Sequence, residues 1–323
     1  MEQVLKIEDL DVSYYSYRGV VRALNRISFD VRRQETVGLV GETGCGKSTV
    51  GLCIVGLIPN PGKIDSGKIL LDGEDLVQKS KEEMRELRRT KLALVFQDPS
   101  TSLNPVLRMG NQLAEALRIK KGIGNKEAKE IAIKLLAKVG ITNPKVAQQF
   151  PHELSGGMKQ RALIAMALTG NPELLIADEP TSSLDVTLQA QIMELLAELG
   201  KKEKMALLLI THNMGLVSQY CERVAVMYAG HIAEVGDTRS VLKSPSHPYT
   251  RGLLAAVKLA SRNELTSIPG TVPDLINVPP GCPFAPRCSY VMDICTKVRP
   301  ELVHIQGTQY AACHLYGNRG PAR

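Results

Sequence analysis

One octapeptide narrows the possible folds more than anything else in this chain. GETGCGKS (41–48) matches the pattern G-x-x-x-x-G-K-[ST]. It follows VGLV (37–40), a short apolar run with strand character, and leads into STVGLCIVGLI (48–58), which reads as a helix. Strand, glycine-rich turn and helix in that order form the context in which this pattern cradles phosphate. Gly41, Gly44 and Gly46 allow a sharp turn whose backbone N–H groups point inward, and Thr43, Cys45 and Thr49 lend theirs to the same nest. The helix then aims its positive end at the anion. Lys47 is placed to reach the β- and γ-phosphates of a nucleotide, and Ser48 to ligate Mg²⁺.

The remainder of the chain fits an α/β fold built around that loop. LALVF (92–96), LLIAD (174–178), ALLLI (206–210), VAVMYAG (224–230) and HIAEVG (231–236) read as strands. Helical periodicity fills about 99–170, including EIAIKLLAKVG (130–140), and returns in LQAQIMELLAELG (188–200). Strands that alternate with helices imply a largely parallel sheet. The opening segments VLKIEDLDVSYYS and VVRALNRISFDV are β-rich and suit an antiparallel subdomain. Near 237 the texture becomes proline-rich and loses periodicity. The expected organisation is a nucleotide-binding domain over 1–236, with an inserted helical subdomain at about 99–170, and a C-terminal extension over 237–323.

LLIADE (174–179) supplies the expected second half of the site. Asp178 would emerge at the carboxyl end of a buried strand, where open α/β sheets bind ligands, and hold Mg²⁺ through water. Glu179 would polarise the attacking water. LSGGMKQR (154–161) is more specific. Ser155 caps a helix whose first N–H groups, at Gly156 and Gly157, form a second anion cradle. One nucleotide hardly needs two cradles from one chain, so the second is expected to serve the nucleotide of a partner subunit.

With these motifs in place, the chain resembles the ATP-binding subunits of ATP-binding-cassette (ABC) transporters. The remaining family motifs stand in order: VFQDP with Gln97, SSLD with Asp185 and LLITHN with His212. The resemblance implies two ATPase subunits that sandwich two ATP molecules. It gives His212 a contact to the γ-phosphate and Gln97 a role at Mg²⁺, at the attacking water and toward the membrane subunits. It also implies an aromatic ring stacked on adenine. Tyr14, Tyr15 and Tyr17 are the candidates, and spacing favours Tyr14.

The tail adds a different chemistry. Cys282, Cys288, Cys295 and Cys313 are separated by five, six and seventeen residues, and GCPFAPRC (281–288) opens the group. Cys45, Cys53 and Cys221 have ordinary explanations in a loop or a core. Four of the 7 cysteines crowded into this tail point to a metal. The spacing is wide for structural zinc, although His304 or His314 could complete a Zn²⁺ site, and four thiolates suit a [4Fe–4S] cluster. SHPYTRGLL (246–254), IPGTVPDL (268–275) and GCPFAPRC are similar to the C-terminal extension of dipeptide/oligopeptide permease ATPases, a group that includes nickel importers. That resemblance implies an iron–sulfur cluster. The extension is expected to lie outside the ATP site, with the cluster folding a segment that has little core of its own.

Composition excludes alternatives. Net charge is +7, without a basic block, and aromatics make up 4% with no Trp. That suits anionic nucleotides and gives no stacking platform for single-stranded nucleic acid. No apolar run approaches the ~18 residues of a membrane span, and the start lacks the apolar core of a signal peptide. The function expected is ATP hydrolysis for a membrane importer of dipeptides or oligopeptides, at the cytoplasmic face of the cell membrane. The partners implied are a second ATPase subunit of different sequence, two transmembrane permease subunits and an extracellular substrate-binding protein. The alternatives are an ATPase governed by the redox state of the cluster and a soluble ABC ATPase acting on nucleic acid.

Overall fold

The computed structural model describes residues 2–17, 19–260, 268–276 and 278–317. Its strands, in chain order, are β1 (Gln3–Ser16), β2 (Gly19–Arg32), β3 (Thr36–Val40), β4 (Gly62–Leu71), β5 (Glu74–Asp75), β6 (Leu92–Val95), β7 (Leu174–Asp178), β8 (Ala206–Thr211), β9 (Arg223–Tyr228), β10 (His231–Asp237), β11 (Leu302–Gln306) and β12 (Gln309–Ala312). The chain divides into two compact units. Among the described residues, no helix is long and apolar enough to cross a membrane.

The first unit comprises residues 78–209 together with 1–4 and 32–35. Its strands run in the order β8-β7-β6. β6 and β7 are parallel, with Leu92 opposite Leu174 and Val95 opposite Ala177. All five residues of β7 are buried, as expected of a parallel strand covered on both faces. The expected helical region contains helices Pro99–Ser102, Met109–Lys121, Asn125–Lys138 and Gly156–Ala167. Met109, Leu113 and Leu117 on one helix and Ala128, Ala132 and Leu136 on the next recur at a spacing of four and are all buried. Each set forms a single apolar stripe, and the two helices pack together. Gly122, left-handed at φ 66°, ends the first of them.

The second unit holds residues 5–31, 36–77 and 210–323. It contains the antiparallel sheet β2-β1-β4-β5 and the strand series β11-β12-β10-β9-β3. β3 and β9 are parallel, with Leu39 opposite Ala225. From β9 onward the pairing is antiparallel, so the largely parallel expectation holds only for part of the sheet. The cause is local: Ala229 (φ 45°) and Gly230 (φ 78°) make a turn with two left-handed residues, which folds β10 straight back on β9. The helix expected over 48–58 also stops early. It spans Lys47–Ile54, because Gly56 turns left-handed (φ 63°) and Gly56 and Leu57 donate back to Cys53 and Leu52.

The hairpin β11–β12 was not legible in the sequence. β12 pairs with β10, placing Ala311 opposite Glu234 and Tyr310 opposite Val235. Tail strands therefore extend the sheet that begins with β3. Glu234 anchors the junction. It is fully buried and accepts hydrogen bonds from the Ser246 and His247 amides at 2.8 and 2.9 Å and from Gln309 Nε2 at 2.6 Å.

Candidate functional site

β3 delivers the chain into Gly41–Ser48. A side chain at Gly41 would place a Cβ 2.1 Å from the Met227 carbonyl oxygen, so backbone contact with β9 requires glycine there. Gly46 is left-handed at φ 104°, and a Cβ there would lie 2.5 Å from the Ala23 carbonyl. Helix Lys47–Ile54 starts directly after it, and no side chain caps its first amides. Those amides and the turn before them are the donors that a phosphate nest requires. Thr43, Gly44 and Ser48 are exposed and Thr49 is half-buried. Lys47 is buried, and its Nζ donates to the carbonyls of Gly41 at 2.9 Å and Glu42 at 3.0 Å. Cys45 is fully buried, and burial pushes its thiol pKa up, so its side chain packs inward while the expectation for it concerned the backbone N–H.

Elsewhere in the second unit, Tyr14 is half-buried opposite Gly62 in the β1–β4 register. Tyr15 donates its hydroxyl to Asp65 at 2.8 Å, and Tyr17 is 92% exposed. His212 follows β8 and is exposed.

The first unit carries the other motif residues. Asp178 ends β7 and is buried. Glu179 follows with a left-handed backbone (φ 45°), held by Ser182, whose amide and hydroxyl both donate to the Glu179 carbonyl. Gln97 Nε2 donates to Glu179 Oε2 at 3.4 Å, so two residues 82 positions apart in sequence meet. Ser155 caps helix Gly156–Ala167 through the Met158 amide, and Asp185 caps helix Val186–Lys202 through the Leu188 amide at 2.9 Å. The two helix starts touch: Cβ atoms at Gly156 and Gly157 would lie 3.4 and 3.2 Å from the side chains of Leu184 and Leu188. Glycine therefore keeps the Ser155–Gly157 turn close to the Asp185 segment.

In the tail, Cys282, Cys288, Cys295 and Cys313 line one small pocket with Phe284, Tyr290 and Leu315. Burial pushes the Cys282 thiol up to about 11, and raises Cys288 and Cys313 as well. Opposing that, backbone amides two residues on, at Phe284, Tyr290 and Leu315, hydrogen-bond these three sulfurs. The Tyr290 amide lies 3.4 Å from Cys288 Sγ. Such N–H···S bonds favour thiolate over thiol. Among the described residues, no three His, Cys, Asp or Glu side chains form a group able to hold a metal ion. The four cysteines share one pocket, but the expected metal-binding extension is not supported by a metal site among the described residues. His304 and His314 donate their Nε2–H groups to the backbone carbonyls of Gly307 and Val298, at 2.9 and 2.8 Å.

Sequence reasoning placed the tail outside the ATP site, and here the structure differs. Arg287, inside GCPFAPRC, grips the carboxylate of Glu42 in the phosphate loop, with Nη1 and Nη2 at 2.7 and 3.1 Å from the two oxygens. Tyr249, from SHPYT, accepts a hydrogen bond from the Glu42 amide at 2.9 Å. A lone arginine between cysteines and a tyrosine in a proline-rich stretch, which folds as the start of helix Pro248–Ala260, carried no signal for either contact.

Comparison with known proteins decides the family. Over 99% of its length the chain is 48% identical to the dipeptide transport ATP-binding protein DppD of Bacillus subtilis, covering 96% of that protein. It belongs to the ABC transporter ATP-binding proteins. Residues 24–182 of this ABC protein match the family described as ABC transporter, and residues 233–295 match the oligopeptide/dipeptide transporter C-terminal region. It is also 44% identical to DppD of Escherichia coli, over 96% of both chains. Among solved structures, it is similar to the ATP-binding cassette MJ0796 in a dimeric post-hydrolysis state bound to ADP and Pi, with a TM-score of 0.66, 26% identity and coverage of 73% of this chain and 99% of the other. A second likeness is cbiO1 of Clostridium perfringens, part of the cbiONQ transporter complex, with a TM-score of 0.66, 29% identity and coverage of 81% and 96%.

Proposed function

We propose that this ABC protein is the ATP-hydrolysing subunit of a membrane importer for dipeptides or oligopeptides. The observation that carries the reading is a complete, ordered motif set in a chain that aligns end to end with peptide-transport relatives. The loop Gly41–Thr49 binds the ATP phosphates through its amides and Lys47, and Tyr14 packs on adenine. Ser48, Asp178 and Gln97 are the residues that would hold Mg²⁺, which would supply neutralising charge to the phosphates. Glu179 accepts a proton from the attacking water, and Gln97 orients that carboxylate. His212 donates to the γ-phosphate.

Ser155, Gly156, Gly157 and Asp185 face the nucleotide of a second ATPase subunit, different in sequence from this one. The dimeric MJ0796 cassette supports that arrangement by likeness. Two membrane permease subunits hold the pair peripherally at the cytoplasmic face, and a substrate-binding protein outside the cell delivers the peptide. ATP binding closes the dimer and hydrolysis reopens it.

The four tail cysteines suit a [4Fe–4S] group better than Zn²⁺: His247 and His314 also line the pocket, but both nitrogens of His247 are engaged by the Tyr249 amide and the Ala312 carbonyl and His314 Nε2 donates to the Val298 carbonyl, whereas the four sulfurs share the pocket and three of them take amide hydrogen bonds. Bound iron would cross-link Cys282, Cys288, Cys295 and Cys313 and add the stability that a small apolar core lacks. Two experiments test these readings. In proteoliposomes with the permease subunits, Glu179→Gln should bind ATP and fail to drive uptake; uptake at the wild-type rate would refute the assignment. Protein purified without oxygen should show visible thiolate–iron absorption that Cys288→Ser lacks, and a colourless wild type with no iron would remove the cluster.

A further inference from the structure

We propose that Arg287 is a positioning residue for ATP binding: from the cysteine-rich tail it neutralises and holds Glu42, so that the phosphate loop meets the nucleotide as a cationic cradle. The inference rests on reading Gly41–Thr49 as the ATP site.

The geometry is unusually complete. A guanidinium has five N–H donors, and each of these has an acceptor. Nε donates to the Pro269 carbonyl at 2.8 Å. Nη1 serves Glu42 Oε2 at 2.7 Å and the Tyr228 hydroxyl at 3.2 Å. Nη2 serves Glu42 Oε1 at 3.1 Å and the Ile268 carbonyl at 2.9 Å. The side chain of Arg287 is 5% exposed and that of Glu42 25% exposed. This is a two-pronged, largely desolvated pair, the class in which the loss of one partner is most costly. Gly270 makes room for it, because a Cβ there would lie 3.1 Å from Arg287 Cγ. The carboxylate beside it holds the Arg287 pKa well above its ordinary value.

Glu42 is what gives the contact a consequence for binding. It is the second residue of the phosphate loop, and its carbonyl accepts from Lys47 Nζ while its amide donates to Tyr249. Tail, helix Pro248–Ala260 and Lys47 therefore hold one residue by its three polar groups. A carboxylate at this position opposes an incoming polyphosphate unless it is paired. Pairing by a rigid fork removes that repulsion and restrains the loop; a lysine would supply the charge without the fork. The short turn Ala285–Arg287 that presents the guanidinium lies between Cys282 and Cys288. The order of the cysteine module thereby sets the charge state of the nucleotide loop, a link that neither motif implies alone.

The test is a titration of the full-length protein with ATP, with thermal melting of each variant alongside. Arg287→Met should weaken ATP binding by about tenfold, and adding Glu42→Gln should bring it back to within about threefold of wild type. Arg287→Lys should lose about threefold, and it carries the test should Arg287→Met fail to fold. A tail that merely packs would show no rescue by Glu42→Gln. The proposal is overturned if Arg287→Met and Arg287→Lys bind ATP as wild type does, or if the double variant binds as weakly as Arg287→Met. Lys47→Ala separates the two readings. If it binds ATP normally, the phosphate-loop assignment itself is wrong; if it does not and the Arg287 variants do, only the role of Arg287 falls.

Discussion

Gln97 and Glu179 meet at 3.4 Å, and Glu179 sits in a left-handed backbone conformation that a non-glycine residue adopts only at a cost of roughly 1 kcal/mol or more. The turn that enforces it runs through Ser182, whose amide and hydroxyl both end on the Glu179 carbonyl. The result brings the carboxylate to Gln97, two residues beyond the end of β6. Glu179→Gln keeps the shape and removes the base. Steady-state hydrolysis should fall about 100-fold or more, with ATP affinity retained. Single-turnover hydrolysis within tenfold of wild type would show that another group takes the proton.

Gln97→Ala removes the donor that orients Glu179 without touching the carboxylate. Its effect should appear in kcat, about tenfold, with KM for ATP little changed. A rise in KM alone would leave Gln97 only its place at Mg²⁺ and none in orienting Glu179.

Glu234 is a buried carboxylate satisfied by three donors from the tail and from the turn at 246–247. Glu234→Ala leaves the Ser246 and His247 amides without their acceptor, while Gln309 Nε2 keeps the Ser244 carbonyl and the Ser246 hydroxyl. The cost should be about 3 kcal/mol in urea unfolding, with the β11–β12 hairpin losing amide protection first. Gln309→Leu should cost less, because the backbone amides keep their carboxylate.

His247 provides a pH signature. It is 3% exposed, its Nδ1 accepts from the Tyr249 amide at 3.0 Å, and its other nitrogen donates to the Ala312 carbonyl. Burial, with Arg251 nearby, depresses its pKa from 6.5 to about 4. Only the unfolded chain takes up this proton between those values. Stability present above pH 6.5 should decline as pH falls toward about 4, by up to about 3 kcal/mol, and then level off. His247→Gln should flatten that part of the stability–pH curve; an unchanged slope would mean that the ring is protonated in the native state.

Much of this protein is legible from local pattern. The strands that flank the loop are continuous apolar runs, and LLIAD and ALLLI announce themselves by composition alone. The helix cap at Ser155 follows from residue type and position, whereas the cap that Asp185 makes at Leu188 appears only in the structure. The hairpin β11–β12 does not, since LVHIQ and QYAA have neither strong alternation nor an apolar run. It is held as a sheet extension by pairing with β10 and by the buried Gln309–Glu234 contact, both remote in sequence. The early end of the first helix is the reverse case: apolar residues continue to Ile58, and the left-handed Gly56 outweighs them.

The sequence by itself determined the chemistry of this chain. Motif spacing sets which backbone amides can gather round a phosphate, which carboxylates end a buried strand and which four thiols stand close along the tail, because those properties are local. Tertiary structure decided what the tail is attached to. Arg287 and Glu42 lie 245 positions apart, and their pairing depends on the path of the chain through β9, β10 and the proline-rich turns. Charge pairing carries no sequence period, so only the fold could reveal that the cysteine module holds the phosphate loop.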